Sequence, residues 1–381
     1  MSAVATTAYI RDGATARRFV DEYVRPRAGE FDRGGEVPQD LADRMSEHGL
    51  WAPFLPVEVG ASGVDMVTFG HIHEEIGRGC SSVRSLLTVH AMVASAVHRW
   101  GDLAQRERWL PPLATGKATA AFCLSEPEVG SDATRITTTA RRVPGGWVID
   151  GTKKWITGGR RADVLLVFAR IDQGIGAFLV PRRTPGVSVS PIDDILGTRA
   201  SMLAEITLDQ AEVGPDALLG PEGFAGGMVM TAALDIGRYS VAAGSAGIIA
   251  ACLDASTDYT SRRVVRDSPL RDFQLIQAKI TNMVTDLHAA RLLYERAGRL
   301  KAAGEAATVM ATWIAKYFAS TAAVRHAGEA VQIHGANGFT AQYPVERLFR
   351  DAKVMEIIEG STEIQQITIA GHAYGRGTDG W

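Results

Sequence analysis

A chain of 381 residues with 46% hydrophobic content has the means to bury a large core, and at about 100–200 residues per domain two or three domains are expected. Its formal charge of -3 and pI near 6.3 supply no broad cationic field, which argues against nucleic acid or an anionic membrane as the main partner. No apolar run is read as approaching about 18 residues, and the opening Met-Ser-Ala-Val-Ala-Thr-Thr lacks the basic and hydrophobic regions of a signal peptide, so a cytoplasmic location is expected. Cys80, Cys123 and Cys252 are odd in number and widely spaced, with no Cys-x-x-Cys pair, as suits buried thiols in a reducing compartment. His71 and His73 stand beside Glu74 and Glu75, but residues two apart on a helix face different ways, so no metal site is assigned.

In chain order, helical spacing comes first. Phe19, Val20, Tyr23 and Val24 recur at helical intervals, as do Leu41, Met45 and Leu50, so residues 1–115 are expected to form an all-helical domain. The apolar segment from Gly79 to Trp100 is expected to be a buried helix. Arg84 within it requires an internal salt bridge or a side chain that snorkels to the surface. From 116 to 222 the pattern is that of strands, with Val164–Ile171, Ala177–Val180 and Ile206–Leu208 among them. Asp150-Gly151 is a hairpin signal, and Pro181, Pro185, Pro191 and Pro215 mark loops, so a small barrel or sandwich is expected. Residues 223–381 return to helical periodicity in long runs such as Ile276, Ile280, Met283, Val284, Leu287 and Thr308–Glu329, which predicts a four-helix bundle. The last stretch, Gly375–Trp381, is expected to fray.

Near the end of the chain, Met355-Glu-Ile-Ile-Glu-Gly-Ser-Thr-Glu-Ile-Gln-Gln366 places Glu359 after an apolar helical run and before Gly360, where the backbone turns sharply. A carboxylate held there loses solvation, which raises its pKa toward the range of a general base. Thr362 and Gln365 have capping-box spacing, so a new helix is expected to start at Thr362 with its free N–H groups turned toward the same place.

This stretch resembles the Glu-Gly-Thr/Ser segment that carries the catalytic base in acyl-CoA dehydrogenases. Ala121-Phe-Cys-Leu-Ser-Glu-Pro-Glu-Val-Gly-Ser-Asp-Ala133 resembles that family's first signature, and Tyr343-Pro-Val-Glu-Arg-Leu-Phe-Arg-Asp-Ala-Lys353 the run leading to the base. The likeness extends in order and spacing from Thr15 to Ala370. It implies an α+β chain with an N-terminal all-α domain, a central β-barrel or sandwich and a C-terminal four-helix bundle. It also implies FAD between the last two domains, with Glu359 removing the α-proton of an acyl thioester.

By the same resemblance, Phe122, Leu124 and Ser125 line one side of the flavin and Trp155 and Thr157 the other. Arg263, Gln274 and the Gln332-Ile-His-Gly-Ala-Asn-Gly338 turn with Gly335 take the pyrophosphate or adenosine, partly for a neighbouring subunit. Ser361 and Glu363 complete the cofactor set. Where the family has Phe-Gly after the arginine this chain has Arg266-Asp267, so one aromatic contact is missing, and no Gly-x-Gly-x-x-Gly supports a Rossmann mode. Ser131, Asp235, Arg238 and Gly360 match positions along the thioester arm, although Arg238 equally suits an interhelical ion pair.

Ser82-Val-Arg-Ser-Leu-Leu-Thr88 resembles the glutaryl-CoA dehydrogenase stretch in which an arginine binds a distal carboxylate, which places Arg84 and Thr88 in the acyl pocket. Cys80–Ser85 and Met355–Ser361 also resemble dehydrogenases that form hydroxymalonyl- or aminomalonyl-type extender units on an acyl carrier protein. The expected substrate is therefore a short, acidic or polar acyl group on CoA or acyl carrier protein. Electron-transferring flavoprotein is the expected acceptor and a dimer or tetramer the expected assembly. The alternatives are a glutaryl-CoA or short-chain acyl-CoA dehydrogenase, a flavin oxidase or monooxygenase, and a non-catalytic acyl-binding protein of the same fold.

Overall fold

The computed structural model describes residues 9–376; the absence of a leader read at Met1–Thr7 and the fraying read at 377–381 fall outside the described residues. Helices come first: α1 (Gly13–Phe19), α2 (Ala28–Gly34), α3 (Gln39–Glu47), α4 (Met66–Gly79), α5 (Ser81–Trp100) and α6 (Leu103–Thr115). A sheet follows, built from β1 (Ala120–Cys123), β2 (Thr139–Val143), β3 (Gly146–Ile156), β4 (Val164–Ile171), β5 (Gly174–Pro181), β6 (Val187–Pro191) and β7 (Ala204–Val213). The chain then returns to helix in α7 (Met230–Arg262), α8 (Gln274–Ala302), α9 (Thr308–His334), α10 (Val345–Ile357) and α11 (Thr362–Arg376). Between α7 and α8 lies a two-stranded ribbon, β8 (Val264–Val265) with β9 (Ser268–Pro269).

The sheet order is β1-β4-β2-β3-β7-β6, with β5 added on β4. Because β4 pairs with β1 at one end, β2 at the other and β5 along its length, the sheet curls. Both faces of β1 and β4 are covered, which explains their unbroken apolar runs. Phe122, Leu166 and Phe168 join the helical core, while Cys123, Leu165 and Val167 join the core inside the curl.

Three expectations about local structure are corrected. Asp150-Gly151 is no hairpin turn. It sits inside β3 at a register shift against β7, where Gly151 has φ 147° and the Asp150 carboxylate accepts from the backbone N–H of Gln210 at 2.8 Å. The hairpin is instead made at Gly145, φ 91°, between β2 and β3. Arg266 and Asp267, both with positive φ, form the two-residue turn of the β8–β9 ribbon, so this departure from the family pattern is a turn requirement. Gly375 and Arg376, expected to fray, belong to α11.

Residues Ala225–Arg262 form a continuous helical stretch of 38 residues that is long and apolar enough to cross a membrane, contrary to the expectation of no such run; 94% of its apolar window is buried inside the protein. Covered on all sides, this helix needs no polar face. Glycines allow its neighbours to approach. A Cβ on Gly247 would lie 2.1 Å from the carbonyl oxygen of Glu74, and one on Gly77 would lie 2.6 Å from that of Gly244. The contact is backbone to backbone, so no rotamer change relieves it. Gly247→Ala is therefore expected to destabilise by about 1–3 kcal/mol through overpacking, seen as a lower urea midpoint with unchanged slope.

Candidate active site

Helix α10 ends at Ile357, and the chain reverses through Glu359, φ 57°, and Gly360, φ 95°. Glycine adopts this left-handed backbone freely, but for glutamate it costs about 1–2 kcal/mol. The expected sharp turn is present, with left-handed backbone at Glu359 as well as at the glycine and the strain on Glu359. The predicted capping box is not formed. Ser361 lies one residue earlier, and its hydroxyl accepts from the Ile364 N–H at 3.5 Å. Gln365 is thereby released, and its amide donates to the carbonyls of Glu359, at 3.4 Å, and Gly360, at 3.2 Å.

The Glu359 carboxylate rests against α7. A Cβ on Gly237 would fall 2.4 Å from its Oε2, so only glycine leaves room there. That oxygen is buried and has no hydrogen-bond partner. Burial raises the pKa of Glu359, while Arg238, Arg84 and Lys316 pull it back. The backbone N–H of Glu359 has no partner among the described residues either.

Glu359 lines a cavity of about 540 Å³ between the sheet and the helices, within the usual range for a small-molecule or cofactor site. Phe122, Leu124 and Ser125 follow β1 on one side, and Trp155, Ile156 and Thr157 close β3 on another. Trp155 has φ 64° where β3 and β7 slip register, and its side chain is left 53% exposed. A flat, largely apolar wall flanked by the hydroxyls of Ser125 and Thr157 suits a fused heteroaromatic ring with a polar rim. The residues present therefore fit a flavin.

Arg84 also lines the cavity. It is 1% exposed, so it does not snorkel, and it forms none of the ion pairs found among the described residues. Its guanidinium donates to Thr88 at 2.9 Å, Ser85 at 2.9 Å and Ser240 at 3.4 Å, with the Met355 sulfur at 3.2 Å, and Nε has no partner. Burial lowers its pKa to about 10, still cationic at neutral pH. Ser240 in turn bonds His73, held neutral near about 3 by burial and by Arg84, whereas His71 turns away to Glu295.

The structure gathers Arg84, Thr88, Phe122, Leu124, Ser125, Ser131, Trp155, Thr157, Arg238, Glu359, Gly360 and Ser361 around one cavity. Arg238 forms none of the ion pairs found among the described residues. It lies over Trp313, 4.1 Å from the ring centre, and donates to the Glu359 carbonyl at 3.1 Å. Asp235 faces away from the cavity and is tied to Lys301. Glu363 is exposed outside the cavity.

Arg263, Gln274, Gln332 and Gly335 are also exposed and lie outside it. They cluster at the far end of the antiparallel helices, and Arg263 follows Gly237 by 26 residues, ~39 Å of helix.

Sequence reasoning gave no role to Lys153, Glu126 or Lys316, and read Gln365 only as half of a capping box. Lys153 is fully buried under the cavity wall and donates to Glu126 at 2.8 Å and to the Leu124 carbonyl at 3.2 Å. Glu126 also accepts from the N–H groups of Thr137, at 2.6 Å, and Thr138, at 2.9 Å. The alternation of β3, which turns Lys153 inward between half-buried neighbours, was the available signal.

Models of three acyl-CoA dehydrogenase domains match the chain: the N-terminal domain over residues 11–117, the middle domain over 121–211 and the C-terminal domain over 225–374. The mitochondrial short-chain specific acyl-CoA dehydrogenase of Bos taurus is 37% identical over 364 residues, covering 94% of this chain and 88% of that protein. A glutaryl-CoA dehydrogenase from Mycobacterium smegmatis, solved in complex with FADH2, has a TM-score of 0.91 at 31% identity, covering 96% of this chain and 94% of its own. FkbI, from biosynthesis of the methoxymalonyl extender unit of the polyketide immunosuppressant Fk520, has a TM-score of 0.88 at 36% identity, covering 96% of this chain and 99% of its own.

The Glu126–Lys153 pair yields a stability prediction. Burial pushes the Glu126 carboxyl up, but Lys153, Thr137 and Thr138 outweigh it and hold the group at about 2, below its ordinary 4.5. Its stabilisation is present above pH 4.5 and is lost as pH falls toward about 2. Lys153→Met, which leaves the buried carboxylate unpaired, should cost roughly 3–5 kcal/mol in urea unfolding at neutral pH. Glu126→Gln should flatten the acid limb of the stability curve.

Proposed function

The chain belongs to the acyl-CoA dehydrogenase family of FAD-dependent oxidoreductases acting on CH–CH bonds, and on that footing we propose that it oxidises a short acyl thioester with a carboxylate or comparably polar far end. The observation that carries this reading is Arg84. A guanidinium withdrawn from water without a counter-ion costs several kcal/mol, and a substrate carboxylate supplies the missing partner with charge-assisted bonds. The pocket is also short. Ser240, which Arg84 touches, follows Gly237, which Glu359 touches, by three residues, ~4.5 Å of helix rise.

Glu359 serves as the base, taking the α-proton on its buried carboxylate. The Glu359 N–H is available to the thioester oxygen as charge develops there. FAD, when bound, accepts the hydrogen that leaves the neighbouring carbon with its electron pair. Phe122, Leu124, Ser125, Trp155 and Thr157 hold its ring and orient it toward the acyl group, and the same wall excludes water. Thr88, Ser131, Arg238, Gly360 and Ser361 line the path of the acyl chain and its arm.

Arg263, Gln274, Gln332 and Gly335 stand too far along α7 to serve the cavity of their own chain, and we assign them to the adenosine end of a neighbouring subunit's cofactor. Exposed Leu275, Phe339 and Val264 at the same end support burial against a second copy, in a dimer or tetramer. The likeness to FkbI favours a carrier-protein thioester of the extender-unit type, with CoA as the other carrier. Electron-transferring flavoprotein is the proposed acceptor. Three buried free thiols, two of them raised to about 12 by burial, agree with a reducing compartment such as the cytoplasm.

Anaerobic titration of the flavin band with glutaryl-, hydroxyacyl- and butyryl-thioesters, each on CoA and on carrier protein, tests the substrate. The acidic and polar groups should bleach the band in the wild type and lose at least about tenfold in affinity in Arg84→Ala, a desolvated ion pair being worth more than 1.4 kcal/mol. Bleaching by neutral chains alone overturns the reading. Glu359→Gln should retain flavin yet fail to be reduced, and retained reduction removes Glu359 as the base. In the wild type, the reduction rate should rise with pH through a group above the ordinary carboxylate range, since only ionised Glu359 accepts the proton.

A further inference from the structure

Lys316 lies on α9, outside every motif that marks the site, and its side chain is fully buried. It makes no ion pair with a carboxylate among the described residues, although Glu356 is close by. That carboxylate is bonded to Lys353 at 2.6 Å. The Lys316 ammonium instead donates to two carbonyls, that of Gly360 at 2.7 Å and that of Glu356 at 3.4 Å. The first belongs to the left-handed turn beside the base, the second to the last turn of α10. A cation at a helix C-terminus is favoured by the unpaired carbonyls and the helix dipole, by up to about 2 kcal/mol where partly buried.

The turn at Glu359–Gly360 has two consecutive left-handed residues, and its carbonyls accept from side chains of three helices. Arg238 of α7 and Gln365 of α11 take the Glu359 carbonyl; Lys316 of α9 and Gln365 take that of Gly360. Without them the strained glutamate would relax toward an ordinary backbone conformation, carrying its carboxylate off the Gly237 notch.

We propose that Lys316 is a positioning residue for catalysis: by fastening the Gly360 carbonyl to the end of α10, it holds the Glu359 carboxylate against α7 at the mouth of the acyl pocket. The inference rests on reading Glu359 as the base. Its charge has a second effect, because Lys316 is one of three cations facing Glu359, with Arg84 and Arg238. The charged groups around Lys316 itself are Glu359, Arg238, Glu356 and Glu363. Burial brings its pKa down to about 8, so it is cationic at neutral pH and loses its charge above about 8.

Three variants separate the roles. Lys316→Met removes both donor and charge, Lys316→Gln keeps a donor without the charge, and Glu359→Gln is the control for the base. Amide exchange over residues 356–362 and infrared titration of the Glu359 carboxyl, with Glu359→Gln as the blank, need neither substrate nor flavin. In Lys316→Met, exchange at the turn should rise about tenfold or more while exchange in α8 is unchanged, and the Glu359 titration should move to higher pH. Lys316→Gln should restore slow exchange but keep the shifted titration.

In the holoenzyme, with whichever thioester bleaches the wild-type flavin, Lys316→Met should lower the reduction rate by about ten- to a hundredfold with little change in KM and flavin content. The wild-type fall in rate above pH about 8 should disappear in Lys316→Gln. Unchanged exchange at the turn together with an unshifted Glu359 titration in Lys316→Met overturns the proposal. So does a rise in exchange shared equally by α8, which marks a general loss of structure. If Lys316→Met does not fold, the Lys316→Gln titration decides alone: an unshifted Glu359 rejects the electrostatic role, and retention of the high-pH fall rejects Lys316 as its source. Reduction surviving in Glu359→Gln removes the base assignment itself, and is distinguished from either result by that control.

Discussion

The structure depends on keeping one carboxylate dry. Glu359 is held out of water against a helix that gives it a glycine notch and no hydrogen bond, which makes its proton affinity high; Arg238, Arg84 and Lys316 keep that affinity within a useful range. Without the cations, desolvation would favour the protonated acid still more strongly; without the desolvation, it would have the proton affinity of an ordinary surface glutamate. The balance places three buried cations in a region where carboxylates are few. None of the three has a hydrogen-bonded carboxylate among the described residues, only hydroxyls, carbonyls or a sulfur. A site charged in that way attracts negative charge.

Helix α7 is the rail on which these groups are spaced. Gly237 seats the Glu359 carboxylate, Arg238 holds its turn, Ser240 touches the guanidinium, and Gly244 makes room for the Arg84 side chain, whose Cδ would lie 2.3 Å from a Cβ there. Positions 237, 240 and 244 lie on one helical face, so three- and four-residue steps set the spacing of the chemistry. Gly247 continues the stripe and lets α4 lie directly on the backbone. Small residues on α7 therefore set both where Glu359 and Arg84 can lie and how closely the helices pack around them.

Much of the site was legible because some of its residue types are poor candidates for packing. Arg84 in an apolar helix and Glu359 between isoleucine and glycine conflict with their local pattern, whereas Trp155 and Thr157 suit a strand and were found through the family resemblance alone; all four line the cavity. The supporting residues carry no such signal. Lys316 and Lys153 resemble solvated lysines on amphipathic elements until the tertiary structure shows what covers them, and Gln365 was taken for half of a capping box that Ser361 pre-empts. Asp150-Gly151 misled for a related reason. A bulge and a hairpin turn both call for a flexible glycine beside a short polar side chain, and only the partner strand distinguishes them.

The two L-residues with left-handed backbone at the cavity, Trp155 and Glu359, stand on its sheet side and its helix side. Neither has a second comfortable conformation within reach, because one is fixed by a slipped pair of strands and the other by a turn clasped from three directions. The shape of the cavity is therefore set by the chain itself. Conformational entropy is surrendered when the chain folds, so an arriving ligand meets walls already set and forfeits less of its contact energy to ordering them.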